Sequence, residues 1–482
     1  MLERLVTALP YLAAALEAAA TVAAAGHAIL NKRDPRSAAG WAAISVLVPI
    51  LGPILYVLFG INRIERRAAR LRRRRRPVGE GGAVSACPAD VLARCLGPGG
   101  AHLAALARVG DAALGHPILQ GNVVEPLVNG EEAYPAMLAA IDESARSVAL
   151  ASYIFDCDAA GIPFIDALAR ASRRGVEVRV LLDAVGAGFF SRAERTLRAR
   201  GVPVEQFLPV RLPWRSPYMN LRNHRKLLVA DGRIGFTGSM NIRQSHLLST
   251  SGADAEQDIH FRIEGPVVHQ LLEVFAEDWA FTTGEALKGA AWFPPLAPRG
   301  DTLARAIPLD PGEHFEKLRW TILGALDCAV RSVRVMTPYF LPDPPLIQAL
   351  CVAAMRGVEV DLVLPEHPDV RLVRWASAAL LWQLLEGGCR IWRTPDPFDH
   401  SKLMVVDGLW TLLGSANWDP RSLRLNFELN VECYNAALAA RVEAYIEGKR
   451  ARARRVTQEE MDGRSLPVRF RDATARMLSP FL

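Results

Sequence analysis

The sequence predicts an α/β protein of two related halves, each a mixed β-sheet flanked by helices, preceded by apolar N-terminal membrane helices. Three observations carry this expectation. A phrase of the form His-x-Lys-x4-Asp-x6-Gly-Ser-x-Asn occurs twice, as His224, Lys226, Asp231, Gly238, Ser239, Asn241 and as His400, Lys402, Asp407, Gly414, Ser415, Asn417, with each element of the second copy 176 residues after its counterpart. Around both copies, short apolar runs of strand length alternate with helical stretches. The first 62 residues hold two long apolar segments, and a dense arginine run follows them. Identities recurring in register imply an internal duplication, with each half supplying half of one active site.

From the N-terminus, residues 5–30 are Ala-rich and interrupted only by Glu17 and His27. Residues 37–61 carry no charge for 25 positions, long enough as a helix to cross a hydrocarbon core of about 30 Å. Trp41 and Tyr56 fall near the ends of this second segment, where amphipathic rings settle at a membrane interface. It is therefore the stronger candidate span and 5–30 the weaker. A basic leader is nearly absent and a second apolar stretch follows at once, which favours retained anchors over a cleaved signal peptide.

Residues 63–76 hold nine Arg against Glu65, a local +8 in a chain of net charge +6, so the remainder sums to −2. The excess of positive charge on the cytoplasmic side of membrane proteins places this run, and the halves that follow it, in the cytoplasm. Lys32, Arg33 and Arg36 between the two segments oppose a simple hairpin; Pro49, Gly52 and Pro53 permit a kinked or re-entrant second segment that leaves both basic stretches on one side. A smaller basic cluster lies at Lys449, Arg450, Arg452, Arg454 and Arg455. Charge concentrated beside apolar segments suits an anionic lipid surface, at about 1 kcal/mol per basic residue. A site that follows a polynucleotide would spread positive charge around itself, so the expected partners are anionic phospholipids and a membrane, with no nucleic acid. The expected division is 1–62 as anchor, 63–120 as Arg-rich linker, 121–291 as first half, 292–300 as a Pro-rich linker and 301–482 as second half.

Within the halves, Ser147–Phe155 answers Ser332–Phe340, and the strand-like run from Arg174 to Val180 answers that from Arg356 to Leu362. Helical stretches such as Phe164–Ser172 separate them, as in a layered fold with a mixed sheet. At each motif, Lys226–Asp231 with Ile234–Gly238, and Lys402–Asp407 with Trp410–Gly414, read as strand pairs. Asp231-Gly232 and Asp407-Gly408 are dipeptides that favour a tight hairpin turn. Asp231 and Asp407 are accordingly assigned to holding the turn. Seven cysteines are scattered without a Cys-x-x-Cys pair, and Cys157, Cys328, Cys351, Cys389 and Cys433, in apolar contexts, read as small reduced core residues.

On a strand, residues two apart share a face, so His224 sits with Lys226 and His400 with Lys402. Two such pairs, with Asn241 and Asn417, supply what phosphoryl transfer at a tetrahedral anion requires: neutralising charge, donors for the oxygens, a nucleophile and an acid. Ser239 and Ser415 are grouped with them as phosphate ligands. One imidazole can attack while the other donates a proton. Clustered carboxylates and Cys/His ligand spacing are absent from both motifs, so no metal or cofactor is expected. Each His needs a carboxylate on its second nitrogen, and Asp258 and Glu428, lone acids opening apolar strands downstream of the two motifs, are the candidates.

The two motifs resemble the HKD motifs of the phospholipase D superfamily, over roughly residues 120–482. The wording around the first motif (Asn220–Lys226), the run Asp258–Pro266, the paired apolar segments and the length are similar to its bacterial cardiolipin synthase branch; Gly238-Ser239 departs from the Gly-Gly commoner there. The resemblance implies two motifs meeting across a pseudo-twofold axis. It implies His224 as a nucleophile that becomes a phosphohistidine and His400 as general acid, an order that symmetry leaves interchangeable. It also implies Lys226, Lys402, Asn241 and Asn417 as phosphate ligands and Asp258 and Glu428 as His-orienting acids. The implied reaction moves a phosphatidyl group from one phosphatidylglycerol to another, giving cardiolipin and glycerol at a bacterial inner membrane, with the catalytic halves on the cytoplasmic side. The alternative is a phosphodiesterase or nuclease using the same two histidines.

Overall fold

The computed structural model describes residues 2–32, 35–60, 86–188, 191–209, 221–311 and 316–479; the arginine run at 63–76 and Asn220 lie outside the described residues. The chain divides into two units, Met1–Arg70 and Leu71–Leu482.

In the first unit, Leu2–Asn31 is one continuous helix, and its stretch Pro10–Asn31 is the one helix among the described residues long and apolar enough to cross a membrane. This reverses the expected ranking of the two segments. The stretch at 37–61 is broken into a helix at Pro35–Leu47, a second at Leu51–Leu55 and a π-turn at Tyr56–Gly60. Pro49 removes a backbone donor and cannot continue the helix, and Ile50 takes the left-handed φ of 63°. The chain then turns back so closely that a Cβ on Gly52 would stand 2.2 Å from the Ile44 carbonyl oxygen. Trp41 and Tyr56, expected at opposite ends of a span, instead meet edge-on at 5.6 Å between ring centres. Tyr56 packs with Ala24 and Ala28 of the long helix, its hydroxyl 2.6 Å from His27 Nδ1.

Among its described residues the second unit carries seventeen strands. The first half contributes β1 (Leu119–Val128), β2 (Ser147–Ser152), β3 (Glu177–Asp183), β4 (Val204–Phe207), β5 (Leu227–Ala230), β6 (Ile234–Gly238), β7 (Glu256–Gln257) and β8 (Ile259–Glu264). The second contributes β9 (Thr302–Leu309), β10 (Ser332–Met336), β11 (Glu359–Pro365), β12 (Arg390–Thr394), β13 (Phe398–Asp399), β14 (Leu403–Val406), β15 (Trp410–Gly414), β16 (Glu428–Tyr434) and β17 (Arg454–Val456). Fifteen strands form one sheet, ordered β4-β3-β2-β5-β6-β8-β1-β9-β16-β15-β14-β10-β11-β12-β17. Outward from the antiparallel β1–β9 junction, each half follows the same path, with β17 added to the second. The junction is thus a pseudo-twofold. In each half the outer strands are parallel (β2 to β4, β10 to β12), and helices such as Gly161–Arg173 and Pro344–Met355 bury their apolar faces on them, as parallel strands require. Each half has its own apolar core.

Both motif hairpins form, β5–β6 and β14–β15. Their central residues all have positive φ, 52° and 62° at Asp231-Gly232 and 56° and 64° at Asp407-Gly408, the geometry a two-residue turn between twisted strands favours. The Asp231 carboxylate accepts from the backbone N–H groups of Ala145, Arg146 and Ser147 at 2.9, 2.7 and 3.0 Å. Asp407 does the same for Val330, Arg331 and Ser332 at 3.0, 2.7 and 2.9 Å, and also meets His102 Nε2 at 2.7 Å. Each motif aspartate therefore pins its turn to the start of a neighbouring strand.

Three expectations of organisation change. Residues 86–118, placed in a linker, are a folded part of the second half: the helices Ala89–Leu96 and Ala104–Ala113 bury Leu92, Leu106 and Ala107 in the core that holds Ile322 and Leu326. Arg305, fully buried, ties them down through Asp111 at 2.7 Å and Glu432 at 2.5 Å. The Pro-rich stretch at 292–300 is strapped to the first half: Trp292 Nε1 donates to Glu177 at 3.0 Å, the Pro294 carbonyl lies 2.7 Å from His269 Nε2, and Arg299 N–H donates to the Gly121 carbonyl at 2.7 Å. A proline-rich run has few backbone bonds of its own, so neighbouring groups satisfy its carbonyls. The basic cluster near 450 is largely neutralised internally, with Lys449 2.7 Å from Asp399, Arg450 3.1 Å from Asp361 and Arg454 3.0 Å from Glu366.

Candidate active site

The site lies where the two halves exchange backbone bonds. β7 runs parallel to β13, and the His400 N–H donates to the Gln257 carbonyl at 2.8 Å. In the related place, Asn223 bridges to Phe427, and the His224 N–H donates to the Phe427 carbonyl at 2.9 Å. In each case the next residue of the partner strand is the acid. The pairs are consequently crossed: His224 Nδ1 lies 2.9 Å from Glu428, and His400 Nδ1 lies 3.1 Å from Asp258. Neither histidine is completed by the acid of its own half, a point the sequence left open.

Both carboxylates are fully shielded and held by other donors. Ser415 Oγ donates to Glu428 at 2.6 Å and Asn426 Nδ2 at 3.0 Å. Ser239 Oγ donates to Asp258, which also accepts the Ile259 N–H at 2.8 Å. Ser239 and Ser415, expected as phosphate ligands, here direct their hydroxyls at the carboxylates, because the tight Gly-Ser turn after β6 and β15 brings each hydroxyl over the strand that starts with the acid. With Nδ1 engaged, Nε2 is the nitrogen of each histidine available for chemistry.

Lys226 and Lys402 are both buried, and each Nζ donates to the carbonyl of the histidine two residues earlier, at 2.8 and 2.6 Å. Burial, reinforced by the two lysines against the opposing carboxylates, pushes His224 down to about 4 and His400 down to about 3. Burial likewise lowers Lys402 to about 8 and Lys226 well below its ordinary value. The two lysines press on each other and on both imidazoles here, and an arriving anion relieves that pressure. Among the described residues no group of His, Cys, Asp and Glu has the arrangement to hold a metal ion.

Asn241 and Asn417 are buried beside the histidines' strands. Asn241 Oδ1 accepts the Ile154 N–H at 3.2 Å; Asn417 Nδ2 lies 3.4 Å from Ser422 Oγ, and its Oδ1 is buried without a protein partner among the described residues. Three neighbours escaped the sequence reading. Tyr153 meets His224 edge-on at 4.9 Å and lies beneath Lys226 Nζ at 5.2 Å. Its position in the repeated Ser147–Phe155 segment was visible, yet the matching place in the second half is Pro338, so duplication gave no signal. His246 lies 6.4 Å from His400 between ring centres. Arg225, inside the first motif, is fully buried and bonds Asp278 at 2.5 Å and Asp310 at 2.6 Å; it anchors the strand that presents His224.

The family described as "Cardiolipin synthase, PLD-like domain" matches residues 137–279 and 322–450, one motif and one acid in each stretch. The chain belongs to the cardiolipin synthase family. A second family, "Phospholipase_D-nuclease N-terminal", matches residues 19–60. The chain is 33% identical to the cardiolipin synthase of Geobacillus kaustophilus over 457 residues, covering 94% of this chain and 90% of the relative. It is 30% identical to that of Listeria monocytogenes serotype 4b over 486 residues, covering 95% and 96%. Among solved structures, phosphatidylserine synthase of Haemophilus influenzae shares the fold, with a TM-score of 0.59 at 16% identity, over 78% of this chain and 100% of that one. Cardiolipin synthase family members are phosphatidyltransferases of the phospholipase D superfamily, and the duplicated α/β unit described above is their fold.

Proposed function

We infer that this member joins two phosphatidylglycerol molecules into cardiolipin and glycerol through a phosphohistidine. The observation that carries the reading is the crossed pairing, which gathers two oriented imidazoles and two buried lysines into one site that neither half forms alone. Lys226, Lys402, Asn241 and Asn417 hold the phosphodiester oxygens. Its negative charge offsets the lysines and raises both histidines from the low values of the empty site, so that His400 arrives protonated. His224 Nε2 then attacks phosphorus, the phosphorus–oxygen bond to glycerol breaks, and His400 gives its proton to the departing oxygen. Glu428 stabilises the cationic ring so formed. A second phosphatidylglycerol next yields the proton of its terminal hydroxyl to His400 as that oxygen attacks phosphorus, and the phosphorus–nitrogen pair returns to His224. Water in the acceptor's place gives phosphatidic acid. Anionic phospholipids are thus substrate, product and surroundings, at the cytoplasmic face of a bacterial inner membrane, with the Pro10–Asn31 helix as anchor.

The test is to incubate purified protein with phosphatidylglycerol and identify the lipids and any protein-bound phosphatidyl group. Wild type gives cardiolipin and glycerol, and His224→Ala and His400→Ala each abolish transfer while remaining folded, because nucleophile and acid act as one unit. Transfer by a folded variant lacking either ring refutes the shared site.

A further inference from the structure

Away from the active site, a cavity of about 260 Å³ lies among the helices Arg371–Ala378, Gln458–Asp462 and Leu466–Met477 and the strands β12 and β17. Five arginines line it: Arg374, Arg393, Arg454, Arg464 and Arg471. Its three acids are already engaged, Glu366 with Arg374 and Arg454, Glu460 with Arg454, and Asp472 with Arg464 and Arg471. Arg393 is different. It is 8% exposed and donates to the Pro365 carbonyl at 2.8 Å, and the carboxylates that act on it, Glu366 and Glu460, are within ion-pair distance only of other arginines among the described residues. A buried guanidinium without a carboxylate of its own is costly, and five arginines against three acids leave the lining with a surplus of two positive charges. A phosphate has the charge and the acceptor oxygens that would offset this surplus.

The wall of the same cavity has a second unusual face. In the helix Leu466–Met477, Asp472 and Ala475 are buried, whereas Leu466, Phe470 and Met477 are 77%, 74% and 78% exposed. With Ala473, these three follow the i, i+4, i+7, i+11 spacing of one helical stripe, opposite the buried side. Arg469 and Arg476 are exposed beside it. An apolar stripe flanked by arginines is the pattern of a helix lying in a lipid interface.

We propose that the C-terminal helix Leu466–Met477 rests on an anionic bilayer with its apolar stripe inserted, and that the arginine cavity at its edge takes the phosphate of one phospholipid around Arg393. The charge complementarity, a surplus of arginine beside large exposed apolar side chains, selects anionic lipid over a second copy of the chain. This contact is separate from the N-terminal anchor and from the catalytic histidines, so it stands or falls independently of the reaction.

The experiment reads insertion and not turnover. Full-length protein carrying Phe470→Trp is reconstituted in nanodiscs whose acyl chains are brominated, with phosphatidylcholine alone or with added phosphatidylglycerol, and its fluorescence loss is compared with that of the parent protein. Quenching of the added tryptophan in the phosphatidylglycerol discs, with most of it lost in phosphatidylcholine and in Arg393→Gln, is the expected result. Arg374→Gln, at the more exposed rim, serves as a second variant should Arg393→Gln fail to fold, and it should weaken the quenching in the same direction. No added quenching in either lipid overturns the proposal, as does a dimer crosslinked through position 470. Equal quenching in both lipids overturns the phosphate site. Stabilisation of wild type but not Arg393→Gln by inorganic phosphate, without quenching, would assign the cavity to a free anion and also overturn the lipid contact.

Discussion

Glu428→Gln keeps the volume of a buried side chain and removes its charge. Glu428 lies 2.9 Å from His224 Nδ1 and accepts from Ser415 at 2.6 Å and Asn426 at 3.0 Å. The glutamine oxygen can replace part of this, but its amide nitrogen must then face either the Ser415 hydroxyl or the imidazole. Against the imidazole it favours the tautomer protonated on Nε2, the nitrogen assigned to attack. The charge loss is the larger part. A phosphorylated imidazole is cationic, and a unit charge pair about 4 Å apart at an effective dielectric of about 20 is worth about 4 kcal/mol. Because tautomer and charge losses overlap, about 3 to 4 kcal/mol is expected, a fall of between two and three orders of magnitude at about 1.4 kcal/mol per tenfold. Rapid-quench measurement with phosphatidyl-labelled substrate reads the rate at which label becomes bound to protein, with thermal unfolding as the check on fold. Adding Ser415→Ala should cost less than the sum of the two single changes, since both act through one ring. A folded Glu428→Gln protein that acquired label at the wild-type rate would refute the crossed assignment and the cationic intermediate with it.

The affinity for an unreactive phosphodiester analogue should fall as pH rises through about 8, because burial lowers Lys402 to about 8 and only its protonated form attracts the anion; titration calorimetry across pH reads this, and a flat profile contradicts it. Asp407→Ala should lower stability by roughly 3 kcal/mol in urea unfolding, since it strands the backbone donors of Val330, Arg331 and Ser332. Asp407 is held below its ordinary value, with burial opposed by those three N–H groups and His102. Its contribution is therefore present above the usual carboxylate pKa and lost as pH falls through the lowered one; unchanged stability together with lost activity would mean a chemical role instead. Transfer in neutral detergent micelles should survive exhaustive chelation, and strict restoration by one divalent ion would show that a metal takes part.

The duplication was legible as identities repeated in register, and the α/β class, the strand pairs at both motifs and their Asp-Gly turns were legible because they rest on local rules: side-chain alternation and the positive φ that a two-residue hairpin requires. The sequence also named both histidines, both lysines and the two acids. Tertiary structure alone decided how they combine. The exchange of backbone bonds at Gln257 and Phe427 sets Asp258 on His400 and Glu428 on His224. The apolar positions of residues 86–118 match a core whose other members begin at Leu303, so nothing nearby in sequence marked them as folded and not linker. The uncharged stretch at 37–61 satisfied composition for a span, but Pro49 and the reversal at Ile50 broke it, whereas the Ala-rich stretch kept its helix through Glu17. Lys449, Arg450 and Arg454 read as free charge until folding set acids from distant strands against them. Except at Pro49, where the break is local, the deciding contact joins residues far apart in sequence, and neither periodicity nor composition carries information about which distant partner the folded chain brings near.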